Sequence, residues 1–337
     1  VLPSTIALIV KSAFTPQAVF GGGTGLSCLL KGLKQFPVDI TAVVSVCDDG
    51  GSTGILRDEF DILAVGDIRK VLVALSQTES SVEELLNHRF NTNGTLNKHT
   101  VGNILLTAAT EMTGSIQQGI ELLGKVLNLC GNVMPVTESN ITLSAEMMDG
   151  SIIDGEHFIT ASSKKIKRVF YKETPEINDS LLREIKSADL IVFSMGSLYT
   201  SILPCLLSKE IINKLDKSSA PIVYACNLFT QPGETDKFKV SDHLKIINSY
   251  LGKRKIDVVI ANNGKIDERL AYKYLSTEQK DPVLIDYDET KKNVKKIIED
   301  NLITIENGVF RHDTLKLGYL LFSEVLRLKK KKKKKKY

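Results

Sequence analysis

The sequence predicts an α/β protein whose main sheet is parallel and covered by helices on both faces. Within the first 55 residues, two strand-like segments each run into a glycine-rich turn, and a helical pattern separates them. Further apolar runs later in the chain end in polar or small residues and alternate with helical patterns. Apolar strands that alternate with helices are typical of parallel sheets buried on both faces.

The N-terminal unit is a strand, a turn and a helix, followed by a second strand and a second turn. The first turn, at residues 21–27, leads into leucines spaced as on one face of a helix. The β-branched segment at residues 38–47 predicts the second strand. The second turn, at residues 48–54, begins with two aspartates. The helical leucines are Leu26, Leu29, Leu30 and Leu33.

The middle of the chain has two different patterns. Residues 55–130 are predicted to be mainly helical, with helices that open near Gly66 and Lys98. Residues 132–170 alternate apolar and polar side chains and contain a hairpin signal at Asp149-Gly150, so they predict a small antiparallel meander inserted beside the main sheet. The apolar runs that complete the main sheet are Asp189–Phe193, Pro221–Cys226 and Ile256–Ile260.

Composition limits the classes of function. With 337 residues and 42% hydrophobic content, the chain can bury a large core in one large domain or two ordinary ones. The formal charge of +4 depends on Lys329–Lys336 and would be −4 without these eight lysines, so the sequence does not indicate nucleic-acid binding. The five cysteines form no CxxC pair, which favours reduced thiols and a cytoplasmic location. No apolar segment approaches the roughly 18 residues of a membrane span.

The predicted boundaries leave one main domain. Residues 1–17 form an N-terminal extension, residues 18–328 form the α/β domain, and residues 329–337 form a lysine tail. Because runs of like charge are usually solvated, the tail is predicted to be disordered rather than a tether to an anionic surface.

The two glycine turns predict a site for a nucleotide or a phosphate. Glycine lets the backbone approach an anion closely, and the following helix offers unpaired N–H groups and the positive end of its dipole. The alternative is that the glycines only close tight turns between strands and helices. Two such turns, the second with paired carboxylates, favour ligand binding. Neither turn has a strict GxGxxG spacing, so an NAD-dependent dehydrogenase is weakly supported.

Asp48 and Asp49 end the second strand and have three open roles: Mg²⁺ ligands, acceptors for ribose hydroxyls, or caps of the following turn. Neighbouring strand residues point to opposite faces, so at most one is expected to reach a given ligand unless the backbone has already turned. Asp67 and Arg69 would bridge a metal and a phosphate, although aspartate is also common at helix starts.

Three further candidates follow from local patterns. His99 and Asn103 lie one turn apart near a predicted helix N-terminus, where histidine either contacts phosphate or caps the helix. Ser197 lies in a Gly-Ser-Leu-Tyr-Thr-Ser segment before an apolar helix, which is a third anion-binding candidate. Nothing in the sequence places a base beside an obvious nucleophile, and no catalytic triad motif is recognisable.

Six ordered motifs together resemble the bacterial gluconeogenesis factor family called YvcK, over about residues 18 to 326. They are Gly21–Ser27, Asp48–Gly54, Gly66–Arg69, His99–Asn103, Gly196–Ser201 and Thr230–Asp236. This family is related to CofD, the 2-phospho-L-lactate transferase of deazaflavin cofactor synthesis. The resemblance implies a three-layer αβα, Rossmann-like architecture.

The resemblance also implies a function and a site. Such a protein binds a UDP-sugar, chiefly UDP-N-acetylglucosamine, and supports cell-wall formation and cell shape during growth on gluconeogenic carbon sources, with no established reaction. Together with Ser197 from the reasoning above, the ligand-binding residues are expected to be Gly22, Gly23, Thr24, Gly25, Asp48, Asp49, Asn103, Asn227, Asn263, Tyr274 and Arg311.

Two functional hypotheses remain open at this point, with a third behind them. A non-catalytic sugar-nucleotide sensor needs the pocket and no cofactor, and changes partners when its ligand binds. A phosphotransferase like CofD needs Mg²⁺, with Asp48 and Asp49 as its metal ligands and Asp67 as a further candidate. A scaffold without nucleotide affinity is the third. A homodimer and a regulatory protein partner are compatible with the sequence.

Overall fold

The computed structural model describes residues 15–266, 269, 272, 279–306 and 309–334. Within these residues, seven parallel strands form the main sheet in the order β10-β9-β8-β7-β1-β2-β3. The strands are β1 (Thr15–Gly21), β2 (Val38–Val44), β3 (Asn132–Pro135), β4 (Leu143–Met147), β5 (Ile152–Asp154), β6 (Ile166–Tyr171), β7 (Leu190–Phe193), β8 (Ile222–Ala225), β9 (Val258–Asn262), β10 (Lys296–Asp300), β11 (Ile303–Glu306) and β12 (Val309–His312).

Helices flank this sheet and connect its strands, so the predicted α/β class with a mainly parallel, Rossmann-like sheet is confirmed. A π-helical turn (Leu198–Ile202) and a 3₁₀ turn (Leu203–Leu206) follow β7. The α-helices are α1 (Gly23–Leu33), α2 (Gly51–Phe60), α3 (Val65–Leu75), α4 (Ser80–Asn87), α5 (Val101–Thr113), α6 (Ile116–Val126), α7 (Glu156–Ala161), α8 (Asp179–Ser187), α9 (Lys209–Lys217), α10 (Val240–Tyr250), α11 (Tyr287–Asn293) and α12 (Thr314–Lys334).

The centre of the sheet brings the two glycine turns together. Val19 and Phe20 of β1 are fully buried, and the Phe20 ring lies 5.4 Å from that of Phe193 in β7. Strand β1 pairs with β2 so that Gly21 lies beside Val44, and the Ser45 amide donates to the Gly21 carbonyl at 2.8 Å. Both turns therefore begin at the same carboxyl edge of the sheet, where ligands bind in open α/β folds.

The inserted antiparallel sheet is smaller than residues 132–170. Strand β3 pairs in parallel with β2 and forms an edge of the main sheet. The antiparallel part consists of β4, β5 and β6 in the order β5-β4-β6. Helices α2 to α6 lie between β2 and β3, so the chain can return to the sheet in the parallel sense.

The two ends of the domain also differ from the sequence expectation. Strand β1 begins at Thr15, three residues before the predicted boundary, because Thr15 pairs with Val38. Helix α12 continues to Lys334, into the lysine run that was expected to be disordered. Lysine is a good helix former, and buried Leu317 and Leu321 fix the preceding turns of this helix.

Helices α1 and α12 pack closely at a glycine. A Cβ atom on Gly32 would lie 1.8 Å from the Thr314 carbonyl oxygen. Replacing Gly32 with alanine should therefore lower the free energy of unfolding by about 2 kcal/mol, although alanine normally favours a helix. Urea denaturation measures the change.

Gly124→Ala is the matched control, because Gly124 is also helical and its added Cβ would meet only the Leu129 side chain, at 3.1 Å. The control should change the free energy of unfolding by less than about 1 kcal/mol. Equal stability of both variants and the parent chain would contradict the proposed helix contact.

Candidate functional site

The N-terminus of α1 opens into a cavity of about 340 Å³, here called the first cavity. Gly22 precedes the helix, and no side chain among the described residues caps it. The first amides of a helix have no intrahelical acceptor, so they remain available to an anion. A Cβ atom on Gly25 would lie 2.3 Å from the Met195 carbonyl oxygen, so glycine is required for this helix to approach the loop after β7.

The first cavity collects many of the predicted site residues. Those on its wall are Gly22, Gly23, Thr24, Gly25, Asp48, Asp67, Ser197 and Asn227. The wall also contains Lys70 and Glu156, which the sequence did not indicate as site residues, and three residues from motifs that it did indicate, namely Thr200, Ser201 and Gln231. These five residues lie on helices or turns that follow strand ends or neighbour the glycine turns. Only the folded structure shows that they meet on one wall.

Asp48 holds the second glycine turn from within the first cavity. Its carboxylate accepts from the Gly50 amide at 3.1 Å and from the Thr53 hydroxyl at 3.0 Å. Burial raises the pKa of Asp48, and the negative charge of Asp67 adds to this rise. Asp67 forms an ion pair with Lys70 at 3.0 Å. Asp48 and Asp67 therefore place two carboxylates on the cavity wall.

Asp49 has different hydrogen-bond partners from Asp48. Its carboxylate accepts from the Glu156 amide at 3.1 Å and from the His157 amide at 2.8 Å, at the start of α7. Asp49 therefore connects the second glycine turn to the inserted segment. The two neighbouring carboxylates line different cavities, Asp48 the first cavity and Asp49 a neighbouring one beside His157. Within the described ranges, no group of three or more His, Cys, Asp or Glu residues is arranged to hold a metal ion.

His99 and Asn103 lie behind the second glycine turn. The Ser52 hydroxyl lies 2.9 Å from His99 Nδ1, and the side-chain nitrogen Nδ2 of Asn103 donates to Ser52 Oγ at 3.1 Å. The sequence does not indicate this contact, because Ser52 and His99 are separated by 47 positions. All three side chains are buried and lie outside the cavity wall. The cluster joins α2 to α5.

Two other predicted residues also lie away from the cavity. Arg69 is buried, and its guanidinium donates to the Asn87 side chain. A Cβ atom on Gly102 would lie 2.7 Å from Arg69 Cδ, so the arginine stem fills a contact between α3 and α5. Asn263 follows β9, where its backbone amide donates to the Asp300 carbonyl at 3.0 Å. Tyr274 lies outside the described residues.

A second cavity of about 400 Å³ continues the cleft along α1 and contains Arg311. It shares Thr24, Gly25 and Asn227 with the first cavity. The stacked rings of Phe229 and Phe310 lie 5.2 Å apart on its wall. His312 Nε2 lies 3.2 Å from the Cys226 carbonyl oxygen, and burial lowers the pKa of His312 to about 4. The side chain is therefore neutral near pH 7.

Glu234 connects two turns that line the first cavity. Its carboxylate accepts from the Ser197 hydroxyl at 2.6 Å, the Tyr199 amide at 3.3 Å and the Gln231 side-chain amide at 2.6 Å. Burial raises the pKa of Glu234 to about 7 in spite of these donors. Ser197 in turn accepts from the Thr200 amide at 3.1 Å and caps the π-helical turn.

Comparisons with known proteins identify the family. Residues 18–303 match the family model described as "2-phospho-L-lactate transferase CofD". A gluconeogenesis factor from Bacillus subtilis is 46% identical over 90% of this chain and 96% of its own length. A gluconeogenesis factor from Halalkalibacterium halodurans is 45% identical over 89% of this chain and 93% of its own length. The chain belongs to the gluconeogenesis factor group of the CofD family.

A solved structure supports the same assignment. The crystal structure of a UPF0052 family member from Bacillus halodurans has a TM-score of 0.87 and 44% sequence identity, and covers 91% of this chain and 99% of its own. The resemblance seen in the six motifs is thus confirmed for the family and for the fold. Across the described segments, no helix combines the length and apolar character needed to cross a membrane.

The contact between Asp49 and α7 can be tested by substitution. Asp49→Ala should remove the acceptor for the Glu156 and His157 amides and lower the free energy of unfolding by about 1 kcal/mol, as loss of a helix cap does. Hydrogen exchange should show faster exchange at these two amides.

Asp58→Ala serves as the control because Asp58 is an exposed aspartate of α2, the helix that follows Asp49 in the chain. It should leave exchange in α7 unchanged. If Asp49→Ala also leaves the protection of both amides unchanged, Asp49 does not hold the inserted segment.

Proposed function

We propose that this protein is a cytoplasmic gluconeogenesis factor that binds a UDP-sugar, chiefly UDP-N-acetylglucosamine, and supports cell-wall formation and cell shape. The observation that carries the proposal is the uncapped N-terminus of α1, which faces a cleft made of the two cavities. A sugar nucleotide needs an anion site for its diphosphate with room on either side of it. This cleft offers both.

The diphosphate is proposed to bind at the first turn of α1. Backbone amides and the helix dipole favour an anion there, and glycines at positions 22, 23 and 25 let the phosphate oxygens approach the backbone. Thr24 lies between these glycines and lines both cavities. Its position therefore suits a contact with a diphosphate that lies between the two cavities.

The second cavity is proposed to hold one arm of the ligand beside Arg311. An exposed guanidinium suits bidentate contact with a phosphate or a sugar oxygen. Asn227 lies between the two cavities, and its side-chain nitrogen Nδ2 donates to the Gly196 carbonyl at 3.0 Å. Asn227 therefore keeps the loop after β7 in position along the cleft.

The protein is proposed to act as a sensor that changes protein partners when the ligand binds, without a cofactor. A homodimer is compatible with this role. The five cysteines are all free, which agrees with a reducing compartment. Reversible binding of a sugar nucleotide leaves the residues of the cavity wall chemically unchanged.

A Mg²⁺-dependent phosphotransferase is the second candidate, and the CofD family match favours it. In that case Asp48 and Asp67, rather than Asp48 and Asp49, would hold the metal, because both lie on the wall of the first cavity, with Glu156 as a third carboxylate there, whereas Asp49 lines a neighbouring cavity. Mg²⁺ is commonly held by one or two carboxylates together with substrate phosphates. The metal would neutralise the phosphoryl oxygens during transfer.

Calorimetric titration with UDP-N-acetylglucosamine, GDP and NADP, each with and without Mg²⁺, distinguishes the candidates. The sensor predicts metal-independent binding of UDP-N-acetylglucosamine with no turnover. Binding of GDP alone, and only with Mg²⁺, would favour the phosphotransferase. If no nucleotide binds, the scaffold without nucleotide affinity is the remaining hypothesis.

Arg311→Ala should weaken UDP-N-acetylglucosamine binding by about tenfold or more, since a charge-assisted hydrogen bond contributes about 1.5–3 kcal/mol. Because Arg311 is exposed, the free energy of unfolding should stay within about 0.5 kcal/mol of the parent value. Calorimetry and urea denaturation measure the two quantities.

Arg168→Ala is the matched control, since Arg168 is an exposed arginine on the inserted sheet, paired with Glu146. It should leave ligand affinity unchanged. Equal affinities of the parent chain and Arg311→Ala would remove Arg311 from the site.

A further inference from the structure

A hydrogen-bonded chain connects a buried carboxyl group to the wall of the first cavity. Glu234 lies at the buried end, where it is only 6% exposed. Ser197 Oγ lies 2.6 Å from Glu234 Oε2 and 2.7 Å from Thr200 Oγ1. Thr200 lines the first cavity. The chain Glu234-Ser197-Thr200, here called the hydroxyl relay, therefore runs from the protein interior to the candidate ligand site.

Counting hydrogens fixes the direction of the relay when Glu234 is ionised. The carboxylate can only accept, so the single hydroxyl hydrogen of Ser197 must point to Glu234. Ser197 Oγ then has two lone pairs, which accept from the Thr200 amide and the Thr200 hydroxyl. The Thr200 hydrogen is thereby engaged by Ser197, so the Thr200 oxygen has only lone pairs left for a ligand.

Protonation of Glu234 reverses this direction. The new carboxyl O–H donates to Ser197 Oγ, and the Ser197 hydroxyl turns to donate to Thr200 Oγ1. The hydrogen of Thr200 is then released from Ser197 on the cavity side, where a bound ligand competes for it with the carboxylate of Glu156, which also interacts with the Thr200 hydroxyl. The other contacts of Glu234 survive, because Oε1 still accepts from Gln231 and Oε2 retains a lone pair for the Tyr199 amide. No heavy atom has to move.

We propose that the hydroxyl relay couples binding of a diphosphate diester in the first cavity to the uptake of one proton by Glu234. The oxygens of such a ligand only accept hydrogen bonds, so they favour the state in which Thr200 donates. The proton that enters with the ligand resides on Glu234, and no covalent bond in the ligand is broken. This inference rests on the proposed sugar-nucleotide function and adds proton linkage to it.

The surroundings of Glu234 make this protonation accessible near neutral pH. Burial raises the pKa of Glu234 to about 7, and the negative charge of Glu156 adds to the rise. The other titratable group that faces it is the buried phenol of Tyr199, which stays protonated because burial raises its own pKa to about 12. The remaining groups in contact with the carboxylate are neutral donors from the π-helical turn and from Gln231.

The sign of the pH dependence follows from linkage. The complex binds one more proton than the free protein, so affinity falls as pH rises through about 7. If the ligand raises the pKa of Glu234 by about one unit, affinity is about tenfold higher below both pKa values than above them. The diphosphate diester itself does not titrate near neutral pH, so the change belongs to the protein.

The test is calorimetric titration of the full chain with UDP-N-acetylglucosamine between about pH 6 and pH 8, in buffers with different enthalpies of ionisation. The parent chain should bind more weakly at the higher pH and take up a fraction of one proton near pH 7. Glu234→Gln imitates the protonated state at Ser197, because its side-chain nitrogen can donate there, while it loses the acceptor for the Tyr199 amide. It should retain the affinity of the parent at low pH and show no proton uptake.

Two further variants separate the relay from a merely structural role of Glu234. Thr200→Val removes the donor at the cavity, so it should bind more weakly and without proton uptake. Glu146→Gln changes a half-buried glutamate of the inserted sheet, paired with Lys167 and Arg168, and should keep the full pH dependence. Proton uptake that persists in Glu234→Gln, or pH-independent binding by the parent chain, would overturn the relay.

A second ligand keeps the relay distinct from the proposed function. If UDP-N-acetylglucosamine does not bind but GDP-mannose binds with proton uptake that Glu234→Gln abolishes, the relay stands and the identity of the proposed ligand is wrong. If UDP-N-acetylglucosamine binds without proton uptake, the proposed function stands and the relay is wrong. If neither ligand binds at any pH, both are wrong.

Discussion

The candidate site depends on how closely α1 approaches two neighbouring backbone segments. At Gly25 the helix lies against the Met195 carbonyl, and at Gly32 it lies against the Thr314 carbonyl. These two contacts fix both ends of the helix, one against the loop after β7 and the other against the start of α12. The helix N-terminus is thereby held at the carboxyl edge of the sheet, where its free amides face the cleft. The other parts of the site are arranged around that helix end.

Carboxylates with different tasks surround the α1 N-terminus. Asp48 holds the second glycine turn, Asp49 holds the inserted segment, and Glu234 holds the turns at Ser197 and Gln231. Asp48 acts within its own turn, whereas Asp49 and Glu234 accept hydrogen bonds from segments that are distant in sequence and so join separate parts of the wall. An anion that enters this cavity meets favourable amides and unfavourable carboxylates together. A bound cation or a protonated carboxyl group reduces that repulsion, and this is why metal dependence and proton uptake are the informative measurements here.

The sequence predicted the features that depend on local pattern. Apolar strands followed by glycine turns predicted the parallel sheet and its ligand-binding edge, because burial on both faces leaves a near-continuous apolar run. The sequence predicted several of the side chains that meet at this edge, such as Asp48, Ser197 and Asn227, but not all of them. Glu156 and Gln231 come from an inserted helix and a late turn, and their place on the wall depends on contacts such as that of Asp49 with α7. Ser52 and His99 likewise meet only because α2 packs against α5. At the C-terminal end the local pattern misled instead. The lysine run has a composition typical of disorder, but it continues a helix that is packed against the domain, and the helix extends to Lys334.

The central claim is that the first turn of α1 binds the diphosphate of a sugar nucleotide. A crystal structure of the full chain with UDP-N-acetylglucosamine tests it most directly. The account predicts diphosphate oxygens within hydrogen-bond distance of the backbone amides of Thr24 and Gly25, with one arm of the ligand beside Arg311. A ligand bound elsewhere, with these amides still open to solvent, would contradict it.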